Sequence, residues 1–294
     1  MKNEITIEDL QILRSKHVHM KDENLVFKKI NKIMRDGANK LQLITDFDLT
    51  LTKQHNNGSP ILSSFGIFRK CTQLSEEFKE KSRILYQKYR AIEINPVIPV
   101  KEKAEYMNEW MVAYHKMLQG LEFDKKEIQD MVNMYGLSLR DRTKELFVNL
   151  KNLNVPILVF SAGLGDVVEA SLRHQNVLLE NVNVISNFLE FQGKTLNGFK
   201  NSHRIIHVFN KNEHAIENEY FKILEGRSNV ILMGDTIGDA LMADGVENIE
   251  IVLRIGFLYE EAEKSLPSFK DAFDIVLVDD QTMNIVLEIL SSIF

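Results

Sequence analysis

Leu41-Gln42-Leu43-Ile44-Thr45-Asp46-Phe47-Asp48-Leu49-Thr50-Leu51-Thr52 decides the fold, because an apolar run closes on two acidic residues at alternate positions. Side chains along a strand alternate faces with a period of two, so carboxylates at Asp46 and Asp48 point the same way. Like charges gathered at a strand end need an offset, and for hard oxygen ligands the usual one is a divalent cation such as Mg²⁺. The stretch therefore predicts a phosphoryl-transfer site. On D-x-D alone, a merely solvated acidic pair stays open.

Upstream, the pattern predicts a helix leading straight into this strand. Asp22 is its N-cap, Val26, Ile30, Ile33 and Met34 have helical spacing, and Gly37 is its stop. Thr6-x-x-Asp9 suggests a further short helix, but the first twenty or so residues carry little signal.

Downstream, Lys53 to Pro60 is polar, with Gly58 and Pro60, and strand character then disappears until about Val155. The gap reads as an insertion of helices. These run from Ser75 to about Tyr89, from Val100 to Leu118 with Ala104, Met107, Met111, Tyr114 and Leu118 on one face, and from Asp124 to Tyr135 behind a capping box Asp124-x-x-Glu127. An insertion directly after the acidic strand end hangs where a lid belongs, so the expected division is a core of 1–58 and 138–294 with a helical cap of 59–137.

From Ser138 the chain returns to alternation. A helix to about Leu150, a strand Pro156 to Phe160, a helix after Asp166, a strand Val182 to Ser186 and a hairpin through Gln192-Gly193 follow in turn. Further strands are expected at Val230 to Met233, Ile249 to Ile255 and Ile275 to Val278, with a closing helix from about Thr282. Short, continuously apolar strands separated by helices predict an α/β fold with a parallel, Rossmann-like sheet covered on both faces, and ligands beyond its carboxyl ends.

Chemistry-bearing residues recur at those ends. Phe160-Ser161-Ala162-Gly163-Leu164-Gly165-Asp166 is a small turn opening a helix, where free N–H groups and the Ser161 hydroxyl suit a phosphate, although such turns need small residues in any case. Val230 to Met233 runs into Gly234-Asp235-Thr236-Ile237-Gly238-Asp239. There Gly234 allows close backbone approach, Asp235 completes a cation's coordination, and Asp239 holds a coordinated water or a lysine. Charge balance asks for that lysine; Lys211 in Phe209-Asn210-Lys211-Asn212 and Lys200 in Gly198-Phe199-Lys200 both qualify.

The 294 residues are 44% hydrophobic and 27% charged, ordinary for a globular protein of one or two domains. A net charge of -6 argues against a nucleic-acid surface and leaves small phosphate esters open. The single cysteine, Cys71, forms no internal disulfide, which fits a reducing compartment. No apolar stretch reaches roughly 18 residues and no signal-peptide core is visible at the start, so no membrane contact and a cytoplasmic location are expected.

The ordered set Asp46-Phe47-Asp48-Leu49-Thr50, Phe160-Ser161-Ala162-Gly163, a lysine, and Gly234-Asp235-x-x-Gly238-Asp239 resembles the four motifs of the haloacid dehalogenase superfamily. More narrowly, Leu41 to Thr52, Ala91-Ile92-Glu93, Glu109-Trp110, Phe160 to Asp166, Gly198-Phe199-Lys200, Ile206-His207-Val208-Phe209-Asn210-Lys211 and Met242-Ala243-Asp244-Gly245-Val246 resemble the cytosolic 5'-nucleotidase III family. The likeness runs from about Val26 to the C-terminus. It implies a Rossmann-like core with a helical cap, Mg²⁺, and hydrolysis of nucleoside 5'-monophosphates through an aspartyl-phosphate; apart from the resemblance, a monomer is expected.

By position, the resemblance makes Asp46 the nucleophile and Asp48 the proton donor to the leaving oxygen. It assigns the metal to Asp46, the Asp48 backbone carbonyl and Asp235, with Asp239 beside them. Ser161, Ala162 and Thr50 fall on the phosphate side, Lys211 is selected over Lys200, and Glu93 falls where the family's acidic residue contacts the nucleoside. The departures lie in the cap. Met111 stands where the family has Trp in its 7-methylguanosine branch and Tyr in its pyrimidine branch, Tyr114 where it has a small residue, and Phe65 where it commonly has His. Phe65, Trp110 and Tyr114 are candidates to stack on a base with Met111 beside them, or else to form the cap's core. Two readings compete with the enzyme: a phospho-accepting regulatory module and a catalytically silent nucleotide-binding module on the same core.

Overall fold

The computed structural model describes residues 4–95, 97–136, 138–211, 226–244 and 248–294. The chain runs through β1 (Val18–Met20), α1 (Glu23–Asp36) and β2 (Leu41–Thr45), then a two-residue hairpin of β3 (His55–Asn56) and β4 (Ser59–Pro60). Four consecutive helices follow: α2 (Ser64–Phe68), α3 (Glu76–Glu93), α4 (Val100–Leu118) and α5 (Lys126–Tyr135). Alternation then resumes with α6 (Thr143–Asn152), β5 (Ile157–Leu164), α7 (Gly165–His174), β6 (Val182–Asn187), and the hairpin β7 (Leu189–Gln192) and β8 (Thr195–Phe199). The last elements are β9 (Asn229–Gly234), β10 (Ile251–Leu258), α8 (Ala262–Ala272), β11 (Ile275–Val278) and α9 (Asn284–Ile293).

Seven described strands form one sheet in the order β1-β11-β10-β9-β2-β5-β6, parallel except for β1, which runs antiparallel along β11. Every residue of β2 is buried, and its side chains divide between two apolar layers. Leu41 and Leu43 join Ile157, Val159, Ile231 and Met233 on one face, whereas Ile44 joins Leu158, Val230 and Leu232 on the other. A central strand covered on both sides needs a mostly apolar sequence, and its two polar side chains turn to backbone carbonyls, Gln42 Nε2 donating to Arg227 O at 2.9 Å and Thr45 Oγ1 to Asp46 O at 2.7 Å. The expected α/β class and Rossmann-like parallel sheet are both present.

Local reasons for the elements are visible at their ends. Asp22 caps α1 by accepting from Leu25 N at 3.0 Å, and Gly37, at φ 80, ends it as expected. Among the described residues no helix is long and apolar enough to cross a membrane.

Several expectations needed correction. The helix expected from Ser138 begins only at Thr143, because the preceding residues are extended and close the insertion: Lys53 N donates to Ser138 O at 2.8 Å and Arg140 N to Leu51 O at 2.8 Å. The Asp124/Glu127 capping box does not form. Asp124 Oδ1 accepts from Lys126 N, while Glu127 turns to Thr72 and Gln73, an apolar-helix neighbour's loop that sequence spacing does not reveal. Thr6 and Asp9 bond one another in a turn rather than capping a helix. α8 and β1 were not foreseen; Pro267 inside α8 reads as a breaker, and β1 is three residues long. Part of the Met242 to Val246 stretch and Asn212 lie outside the described residues.

Candidate active site

Three neighbouring strands deliver the site. Thr45 of β2 pairs with Val159 of β5 on one side and with Met233 of β9 on the other, so Asp46, Ser161 and Asp235 emerge together at the carboxyl edge. β2 lies where the chain departs first toward one neighbour and later toward the other, the switch point at which open parallel sheets bind ligands.

Asp46 is 4% exposed. Lys211 Nζ, itself buried, donates to Asp46 Oδ1 and, at 2.8 Å, to Asp239 Oδ1. Asp239 is fixed in turn: its Oδ2 accepts from Thr236 N at 2.9 Å and Thr236 Oγ1 at 2.7 Å, a capping box around the short helix that follows β9. A Cβ on Gly234 would stand 2.2 Å from Asp239 Cβ, so the strand end must be glycine to let Asp239 fold back. Of the two lysines that suit the charge balance, Lys211 meets the carboxylates, whereas Lys200 is exposed with its Nζ over the Phe188 ring.

Asp48 behaves differently from Asp46. Its Oδ1 accepts from Ser64 N at 2.8 Å and its Oδ2 from Ser64 Oγ at 2.5 Å, so its carboxylate is held by the first residue of α2. Ser64 Oγ accepts from Leu164 N at 3.1 Å, tying α2 to β5 as well. Gly163 closes this corner, since an added Cβ would lie 2.2 Å from Ser64 Oγ and 2.7 Å from Asp48 Oδ2. Sequence reasoning gave Ser64 no role, because nothing in the local pattern links it to Asp48. Thr50, expected on the substrate side, does not line the cavity. It is fully buried and donates to Asp235 Oδ1 at 3.2 Å, a role in holding the acidic residue rather than the ligand.

Electrostatics set this site apart from an ordinary acidic surface. Burial, with Asp239 and Asp48 nearby, raises Asp46 against the pull of Lys211 to about 7. Burial likewise raises Asp48, though its bonds from Ser64 act the other way, and raises Asp235 well above the usual carboxylate range with Asp46 and Asp239 adding to it. Asp46, Asp235 and Asp239 each present a ligand oxygen, all within 4.8 Å of one another. Crowded buried carboxylates with one lysine between them leave negative charge uncompensated, and hard oxygens at this spacing fit a divalent cation.

The cavity over these groups is walled on its far side by the inserted helices. Phe65, Tyr86, Arg90, Glu93, Met107, Trp110 and Met111 face Asp46, Asp48, Ser161, Ala162, His207 and Lys211 across it. Trp110 stacks one face on Tyr89, with ring centroids 5.7 Å apart and an interplanar angle of 8°. Tyr114 is a correction: it does not line the cavity but is buried behind Phe65, edge-on at 4.8 Å, and stacked on Phe199. Tyr114 therefore fills the core of the insertion. His207, which sequence reasoning left unassigned, lines the cavity as a neutral ring, with burial pulling its pKa down to about 4.

Comparison with known proteins agrees with this arrangement. The family model described as Pyrimidine 5'-nucleotidase (UMPH-1) matches residues 49–294. A 7-methylguanosine phosphate-specific 5'-nucleotidase of Drosophila melanogaster is 44% identical over 292 residues, covering 98% of this chain and 91% of the relative. The Homo sapiens protein of the same description is 37% identical, covering 97% and 95%. Among solved structures, cytosolic 5'-nucleotidase IIIB bound to cytidine superposes with a TM-score of 0.93 at 43% identity, covering 98% of this chain and 97% of that one. A substrate-bound phosphoserine phosphatase shares the fold at a TM-score of 0.53 and 14% identity, over 85% and 97%. With a matching family model over most of its length and close relatives over nearly all of it, the chain belongs to the pyrimidine 5'-nucleotidase (UMPH-1) family, on a haloacid dehalogenase-like fold.

Proposed function

We propose that this 5'-nucleotidase hydrolyses nucleoside 5'-monophosphates of both the cytidine and the 7-methylguanosine type, by transient transfer of the phosphoryl group to Asp46. The observation that supports this most is one cavity with two unlike ends. Asp46, Lys211, Ser161 and Ala162 lie at the end that suits a phosphate, and Glu93, Trp110, Met111 and Phe65 at the end that suits a base. Relatives carrying the two substrate types in their descriptions support the breadth of the reading.

In this scheme an Asp46 oxygen bonds to phosphorus as the bond from phosphorus to O5' breaks, and Asp48, arriving as the acid, gives its proton to O5'. Water then adds to phosphorus and passes a proton to the Asp48 carboxylate, and the bond to Asp46 breaks to release phosphate. Lys211 orients Asp46 and shares the charge; Ser161 has a hydroxyl proton to give the phosphate, since its oxygen already accepts from Gly163 N at 3.0 Å. Asp46, Asp235 and the Asp48 backbone carbonyl would hold Mg²⁺, with Asp239 beside them bonded to Lys211. When bound, that ion supplies the positive charge that lets an anionic carboxylate approach an anionic ester.

The division into a core of 1–58 and 138–294 and a cap of 59–137 belongs to the same proposal, supported by the pairing of Lys53 with Ser138 that brings the insertion's ends together. So do action on small nucleotides rather than nucleic acid, supported by the net charge of -6, a cytoplasmic location, supported by a relative described as cytosolic, and a monomeric state. Phosphate release from CMP, UMP, GMP, AMP and 7-methyl-GMP, with Mg²⁺ and with EDTA, is the test. Release from CMP and 7-methyl-GMP that stops in EDTA is the expected result. No release from either favours the silent binding module.

A further inference from the structure

Glu93 closes α3, where the negative end of the helix dipole disfavours a carboxylate. The chain offsets this with two cations. Arg90 Nη1 donates to Glu93 Oε2 at 2.8 Å, and Lys103 Nζ of α4 donates to the Glu93 carbonyl at 2.7 Å. The second arm of the same guanidinium crosses to the sheet side, where Nη2 donates at 2.7 Å to Oε2 of Glu260, two residues past the end of β10. The Arg90 and Glu93 side chains are 17% and 13% exposed. Both residues line the cavity over Asp46, and both also line a second cavity behind it, between α3, α4 and the end of β10, with Lys103, Tyr259, Glu260 and Ser265. The pair is thus the wall between two spaces. Arg90 Nε is buried with no hydrogen-bond partner among the described residues. Burial works against the charge, yet Glu93, Glu260 and Asp235 keep the guanidinium protonated.

We propose that Arg90 is a positioning residue for nucleoside recognition: its guanidinium forks between Glu93 on the inserted helices and Glu260 on the sheet side, and so fixes the Glu93 carboxylate at the base end of the cavity. A planar fork reaches two carboxylates on opposite walls at once, and a lysine ammonium on its flexible stem does not replace it. With Glu93 Oε2 held by Arg90, Oε1 remains for a base that offers an N–H. The inference rests on the nucleotidase reading.

Calorimetric titration of wild type, Arg90→Gln, Arg90→Lys and Glu260→Gln with cytidine, and separately with inorganic phosphate, tests it, together with kcat and KM for CMP. Removing one partner of a buried charge pair weakens what the other partner holds, so Arg90→Gln should raise the cytidine Kd and the CMP KM about tenfold or more. The phosphate Kd and kcat should change several-fold less than the cytidine Kd, because Arg90 bonds Glu93 and Glu260 directly and reaches Asp235 only through space. Arg90→Lys should recover only part of the loss. Glu260→Gln, at a half-exposed position, should raise the cytidine Kd about two- to fivefold, and the double variant with Arg90→Gln should be no worse than Arg90→Gln alone. An unchanged cytidine Kd in Glu260→Gln overturns the proposal, as does an Arg90→Gln protein whose phosphate Kd rises as much as its cytidine Kd. If Arg90→Gln does not fold, Glu260→Gln decides by itself. Wild type that binds cytidine without hydrolysing CMP sinks the nucleotidase reading instead, and the cytidine titrations still decide the fork.

Discussion

Burial governs Asp46 more than any neighbour does, and it has a consequence for stability. Its carboxyl is raised from the ordinary 3.8 to about 7 in the folded protein. Below about pH 4 the folded and unfolded chains both hold the proton. Between there and pH 7 only the folded chain keeps it, so this group's contribution to stability falls as pH rises and is lost above 7. In chelator, Asp46→Asn should therefore raise Tm at pH 8 by roughly 2 to 8 °C, at about 2 to 4 °C per kcal/mol, and change it little near pH 4. Calorimetry at the two pH values checks this, and a lower Tm at pH 8 counts against it. The same variant should retain less than about one part in a thousand of the wild-type rate, because an amide is no nucleophile. At this scale the sequence was legible where chemistry and local pattern coincide: Asp46 and Asp235 directly follow β2 and β9, Asp239 lies in the short helix just past β9, and Ser161 lies in the small-residue stretch of β5. It was silent where the partner is remote, as for Ser64, sixteen residues from Asp48, and for Arg90, 170 residues from Glu260.

The turn that follows β2 owes its shape to a residue of the extended segment before α6. Arg140, 1% exposed, donates through Nε to Thr50 O and through Nη2 to Leu49 O, both at 2.6 Å, and through Nη1 to Asp280 O, while its guanidinium lies 4.0 Å from the centre of the Phe257 ring. Leu49 adopts φ 66, a strained conformation that these bonds hold in place beside Asp48. Arg140→Met should strand those carbonyls and destabilise the protein by about 3 kcal/mol, read as a shift in the urea midpoint; a loss below about 1 kcal/mol would mean water replaces the guanidinium. The inserted helices carry a separate prediction. Met111 lines the cavity near Trp110, so Met111→Trp should raise kcat/KM for 7-methyl-GMP relative to CMP several-fold, by offering a cationic base a second aromatic face, on the order of 0.5 to 2 kcal/mol. An unchanged or falling ratio removes position 111 from base recognition. α4 was legible to its ends because its apolar spacing is regular. α8 was not, since Pro267 interrupts its pattern, and the start of α6 was displaced because Arg140 is recruited by the distant Leu51.

For the whole molecule, the sheet and the insertion do different work. Two apolar layers lock β2 between β5 and β9, which fixes three strand ends to one another, and the insertion leaves and returns through the paired segments of residues 51–53 and 138–140. Alternation of apolar strands and helices made the sheet readable, and the long strandless gap made the insertion readable. The cavity itself was only half readable, because the wall opposite Asp46 is built by side chains from α2, α3 and α4 whose packing depends on tertiary contacts such as Phe65 against Tyr114. The proposed mechanism passes a phosphoryl group through Asp46. Acid-quenching the enzyme during turnover of CMP with Mg²⁺, then mapping its peptides by mass, tests that directly: a phosphoryl group on Asp46, absent from Asp46→Asn, is expected, and CMP turnover that persists in Asp46→Asn or a phosphoryl group mapped to another residue rules this mechanism out.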